Sequence, residues 1–340
     1  MMNSTTNGDP DAVLLSTKRK SVRLIDIIWM LYLIILLPVA YYMSVYLLEN
    51  YTYGDQTYYT RFYESLKGES LLQVPYQQLL NTGSSEPLFG FVIWVGANFG
   101  FEKVVFISLI NTLFTLVTGL ALRKLGANIF IATLIFTNYY FLVLFTSAER
   151  LKFSYFAMML FFLSSRKLKI FFFLIAPLFH FQTVINYASW FSSRFFRVKL
   201  SAFKKRSFQL KMGFYFIVGV FSINYVLTRY GIAVSDKLAY YFASAGDGAF
   251  GIAKGLLLII SGFLMRIRFV TVFSYFLPIL FAAALLGPER VNMIGFVMFF
   301  YLACQEKKLG HPIFIAILLY FSFKSIGFVD NILTFGTGYP

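Results

Sequence analysis

Long apolar runs separated by short polar breaks dominate the chain from Leu24 to Val329. They lie at 24–48, 87–101, 104–122, 127–148, 151–165, 170–192, 213–228, 252–265, 269–286, 291–304 and 311–328. A helix that crosses the hydrocarbon core of a bilayer needs about 20 apolar residues. Most of the runs therefore predict spanning helices. Those at 87–101, 252–265 and 291–304 are short for that task and predict tilted, re-entrant or interfacial pieces. The fold class predicted is all-α: a polytopic transmembrane helical bundle of about nine to eleven apolar helices. No internal repeat and no long hydrophilic stretch interrupts it. One membrane domain, 24–329, is expected between a cytoplasmic tail at 1–23 and a C-terminal tail at 330–340.

The polar breaks orient the bundle. The segment KRKSVR precedes the first run, and basic residues accumulate on the cytoplasmic side. The N-terminus is thus expected inside and the loop 49–86 outside. The first run exceeds a signal-peptide core and lacks a small-residue cleavage site, so a retained span is expected. Later basic clusters stand at Arg123–Lys124, 166–169, 194–211, Arg266 with Arg268, and Lys307–Lys308. All fall inside if 87–101 lies at the outer interface and 170–192 is a re-entrant pair of helices. Pro177 would mark its tip, where a helix break costs least. A second external loop then spans 228–251.

Composition narrows the function classes. Hydrophobic residues make up 59% and charged residues 13%, with 43 Phe and 23 Tyr. A soluble fold of this length cannot bury so much apolar surface. A soluble enzyme, a DNA-binding protein and a secreted disulfide scaffold are excluded. The net charge of +15, from 30 basic and 15 acidic residues, reads as inside-loop charge beside anionic membrane lipid, with no nucleic acid as partner. One cysteine, Cys304, and two histidines permit no intrachain disulfide and no multi-histidine metal centre. No metal and no cofactor is expected, and no glycine-rich phosphate loop is present.

Candidate chemistry sits where charges interrupt apolar surroundings. In the long first external loop, Tyr58, Tyr59, Phe62 and Leu66 predict one apolar helical face, with Asp55 as its cap. A membrane-surface helix is one reading. The other aims the Asp55 carboxylate into a cavity, to take a proton from a sugar hydroxyl. Arg61 belongs to the same helix. Glu86–Pro87 suits a helix start, with proline in the first turn and the carboxylate at the positive dipole end. A polar saccharide contact is the alternative. Arg150 follows two apolar stretches, and its forked donors match phosphate oxygens. His180 lies within an apolar segment with Gln182 and Asn186 close by. Arg229 and Lys237 in the second external loop, and Arg290 in GPER, are further anion-binding candidates.

The order of these features resembles the EpsG family of polysaccharide-assembly proteins, and more broadly the Wzy-type O-antigen and capsule polymerases. The likeness rests on DQTYY at 55–59, EPLF at 86–89, Arg150, RKLK at 166–169 and APLFH at 176–180, within residues 24–195. It implies a GT-C-like membrane glycosyltransferase that joins undecaprenyl-pyrophosphate-linked oligosaccharides outside the bacterial cytoplasmic membrane. Asp55, Arg150 and His180 then become the expected catalytic residues. Tyr58, Tyr59, Arg61, Glu86, Gln182, Arg229, Lys237 and Arg290 become the expected substrate contacts. A chain-length regulator protein is the implied partner. An Arg-x10-Gly pattern found in some polymerases is absent from Arg150, Arg229 and Arg290. A flippase of lipid-linked sugar and a membrane acyltransferase are the alternative functions.

Overall fold

The computed structural model describes residues 10–196, 248–286 and 288–339, with side chains described for 24–195, 253–283 and 291–339. Among the described residues the fold is all-helical. Two compact units emerge, one formed by the chain up to Phe179 together with Phe321 onward, the other by His180–Tyr320.

The first unit opens with α1 (Pro10–Asn50), followed by α2 (Asp55–Ser65), a 3-10 turn (Leu71–Gln73), α3 (Val74–Thr82) and α4 (Pro87–Asn98). Then come α5 (Lys103–Lys124), α6 (Ile129–Phe136), α7 (Tyr139–Phe145), α8 (Glu149–Leu163) and α9 (Arg166–Phe179). The second unit holds α10 (Thr183–Phe196), α11 (Gly248–Leu264), α12 (Phe269–Leu286) and α13 (Pro288–Gln305). The last helix, α14 (Pro312–Phe335), crosses the boundary between the units and runs past the position where a tail was expected.

Among the described residues, three helices are long and apolar enough to span a bilayer: 27 residues from Leu24 to Asn50, α5 with 22 and α14 with 24. Shorter apolar helices stand at Pro87–Asn98, Ala253–Leu264, Phe269–Ala283 and Val291–Gln305. At 1.5 Å per residue, α4 reaches only ~18 Å, well short of a ~30 Å core. The run at 127–148 does not form one span either. It breaks into α6 and α7 because Asn128 and Asn138 each turn a side-chain oxygen back onto a helix start, accepting from the amides of Ile131 and Tyr140, both at 2.9 Å. Pro177 is accommodated inside α9, and the chain breaks three residues later at His180–Gln182.

The apolar face predicted on α2 exists, but it faces protein. Phe62, Tyr63 and Leu66 are fully buried with Tyr59 in a core completed by Phe89, Ile93, Ile107 and Phe153. Phe62 stacks on Phe89 at 6.0 Å between ring centroids, and Phe89 meets Phe153 at 5.6 Å. Each such ring contributes about 1.5–3 kcal/mol through burial. This correction displaces the membrane-surface reading of α2. Only Tyr58 of the four named residues is exposed. Gly90 lets α3 approach α4, since a Cβ there would lie 2.7 Å from both Val74 Cγ1 and Gln78 Oε1. The end of α14 is tied to the entry of α2: the Gly336 carbonyl accepts from the amides of Thr52 at 3.0 Å and Tyr53 at 2.9 Å.

In the second unit, α10, α11, α12 and α13 pack together. Gly262 admits Val272 closely, at 3.0 Å from a notional Cβ. Gln305 accepts from the Tyr275 hydroxyl and donates to the Tyr301 hydroxyl at 2.8 Å.

Candidate functional site

The site in the first unit grows from the break between α3 and α4. Glu86 occupies the N-cap position of α4 in extended conformation, and Pro87 fills the first helical turn, as the sequence predicts. The carboxylate does not cap that helix. It is buried and accepts from the Ser84 hydroxyl at 2.6 Å, from Gln78 Nε2 at 3.2 Å and from Arg150 Nη1 at 3.2 Å. Arg150 Nη1 also donates to Ser84 Oγ. Arg150 itself comes from the first turn of α8.

Tyr59 of α2 closes this cluster. Its phenol bonds the Arg150 guanidinium. Burial pushes the phenol up to about 12; Arg150 pulls the other way, and the carboxylates of Asp55 and Glu149 push up again. Burial alone would lower Arg150, but Tyr59 and Glu86 outweigh it and hold the guanidinium firmly charged. Its Nε is buried and makes no hydrogen bond. The Arg150 side chain keeps 18% of its surface exposed, and a guanidinium so placed can meet an anion such as a phosphate oxygen. Asp55 lies one helical turn before Tyr59 and is exposed. It is the first helical residue of α2, with Gly54 at the N-cap, so the cap assigned to Asp55 is corrected. Its charge there suits the positive end of the helix dipole.

A second buried cluster begins one residue earlier, at Glu149. Gln56 donates to the Glu149 carboxylate at 2.7 Å and to the Thr146 carbonyl at 2.5 Å. Lys103 donates to the Gln56 side-chain carbonyl and to Thr60 Oγ1, and lies 3.6 Å from Glu149. The Lys152 ammonium is wholly buried within electrostatic reach of Glu149 and Lys103 and has no hydrogen bond. Gln56 thereby fastens α2, which carries Asp55 and Tyr59, to the turn that carries Arg150.

Of the residues singled out by sequence, Tyr59, Glu86 and Arg150 come together, with Asp55 exposed one helical turn before Tyr59. Tyr58 and Arg61 are exposed on α2. His180 and Gln182 belong to the second unit, in the break before α10, where the imidazole Nε2 lies 3.2 Å from Gln182 Oε1. Asn186 is buried on α10. Arg229 and Lys237 lie outside the described residues. Arg290 lies in the first turn of α13, its side chain outside those described. Sequence reasoning singled out Glu149 beside Arg150 but missed Ser84, Gln78, Gln56, Lys103 and Lys152 as partners. The visible signal was Glu149 with Lys152, an acid and a base three residues apart at the head of an apolar helix.

No family model, curated protein or solved structure matches this chain.

Proposed function

We propose that the protein is a membrane glycosyltransferase of the polymerase type. It joins oligosaccharide repeats carried on undecaprenyl pyrophosphate at the outer side of the bacterial cytoplasmic membrane. The observation that carries this reading is the placement of the Asp55 carboxylate and the Arg150 guanidinium about one phenol, that of Tyr59.

Asp55 is the general base. It accepts the proton of the acceptor hydroxyl as that oxygen bonds the anomeric carbon of the donor sugar. The bond from that carbon to the lipid pyrophosphate breaks, and the pyrophosphate leaves with the electron pair. Arg150 meets the charge that develops on it, held in place by Glu86, Ser84 and Tyr59. Asp55 returns its proton to water. The chemistry requires no nucleotide donor and no cofactor. A chain-length regulator would act on the product.

Asp55→Asn and Arg150→Ala are each expected to lower polymer growth ~100-fold or more, in line with loss of a general base or a charge-stabilising donor. Gel analysis of surface glycan reads the loss. Cells should hold normal amounts of the variant protein while single-repeat glycolipid collects on the outer leaflet. Retention of that glycolipid on the inner leaflet would indicate a flippase instead. Long polymer from both variants would remove the site assignment.

A further inference from the structure

The 3-10 turn and α3 carry two opposed faces. Val74 and Gln78 point inward and are buried, Gln78 donating to Glu86. On the other side Leu72 is 90% exposed, and Tyr76, Leu79 and Leu80 are each more than half exposed. Tyr76, Leu79 and Leu80 follow the i, i+3, i+4 spacing of one helical stripe. No Asp, Glu, Lys or Arg occurs from Leu71 to Ser85. Water is a poor surrounding for such a stripe, and exposed apolar patches on this scale mark an interaction surface.

We infer that this outer face of α3 is seated in the lipid interface of the bilayer. The same unit bares apolar side chains in the same way on its long helices, at Ile34 and Ile35 of α1 and at Phe323 and Ile326 of α14. The α3 stripe repeats that composition on a helix that starts 24 residues beyond the end of α1 and is too short to span. Tyrosine among leucines suits the headgroup boundary, with an apolar ring and a polar tip. α3 is then a strut. Its outer face rests on lipid, and its inner face holds Glu86 through Gln78. The Glu86–Arg150 pair is thereby set at headgroup depth. The inference does not rest on what the site catalyses.

The chain has one cysteine, so Cys304→Ser gives a background for single spin labels. Labels at Leu72→Cys and Leu80→Cys are compared with Ile35→Cys on α1 and Lys67→Cys on the polar loop. The protein is placed in vesicles of phosphatidylethanolamine and phosphatidylglycerol. Power saturation is measured with oxygen, which concentrates in lipid, and with a water-soluble nickel chelate. The Leu72 and Leu80 labels are expected to fall between Ile35 and Lys67, with oxygen collisions above those of nickel but by less than at Ile35. Tyr76→Cys gives the same readout if either variant fails to insert. Labels that match Lys67 overturn the inference. So do labels shielded from both relaxants, which would report a protein neighbour on this face.

Discussion

Glu149 and Arg150 are adjacent in sequence and start the same helix, yet they enter two unlike ionic clusters. Around Arg150 the carboxylate is fully served: Glu86 receives donors from Ser84, Gln78 and the guanidinium. What remains unmet is one donor, Arg150 Nε, and one acceptor, Gln78 Oε1. Around Glu149 the shortage differs. Two amines share one carboxylate, and both the Lys152 ammonium and Glu149 Oε2 lack hydrogen bonds. The Lys103–Glu149 pair is also longer, 3.6 Å against 3.2 Å, with Gln56 bonded to both of its members. The first cluster thus serves its carboxylate in full. The second is a fastening that tolerates a poorly served cation to hold α2 beside α8. A buried ion pair says little about function until one asks which of its members is left short.

The comparison breaks most readily at Glu149. Glu149→Ala leaves two buried amines without their carboxylate and frees Gln56, and is expected to cost about 3–5 kcal/mol. Thermal unfolding in detergent measures it. A loss no greater than that of an exposed-pair variant such as Lys67→Ala would mean the second cluster fastens nothing.

Tyr59 sharpens the other side. Its folded pKa is raised above the unfolded value, so its contribution is full below pH ~10 and is lost as pH rises through about 12. Wild type should lose stability across that window relative to its value at pH 9. Tyr59→Phe cannot ionise there and should lose less. Identical alkaline profiles would mean that the Tyr59 phenol is not held away from water.

The smallest change is expected at Lys152. Lys152→Met removes a buried ammonium with no hydrogen bond and keeps its volume. Stability should stay level or rise by about 1 kcal/mol. A clear fall would show that the amine has a partner and that the second cluster is complete.

How far the sequence disclosed this arrangement depended on the cost of each residue in apolar surroundings. Asp55, Glu86 and Arg150 stood out because a charge beside long apolar runs must be paired or put to use. Proline at 87 fixed the start of α4 for a simple steric reason. The uncharged partners gave no such signal: Ser84, Gln78 and Gln56 look like ordinary loop residues until the chain folds. Periodicity found the Tyr59, Phe62 and Leu66 face of α2 but not its occupant, which Phe89 supplies from another helix. The split of 127–148 was hidden because Asn138 reads as one tolerated polar residue, whereas its side chain starts a new helix. Among the described residues, the apolar runs do not convert one for one into long helices for a related reason. Hydropathy measures how apolar a run is and does not register where a cap or glycine ends the helix.

Gly336 reaches further than its place near the end of α14 suggests. With φ at 67° it adopts a backbone that side-chain-bearing residues resist, and a Cβ there would sit 2.5 Å from Thr52 Oγ1. Its carbonyl is a peg for the strand entering α2, three residues ahead of Asp55. Proteolytic nicking beside Phe335, or a bulky purification handle fused at this junction, would tug on that peg and disturb the carboxylate from nearly three hundred positions away in the polypeptide.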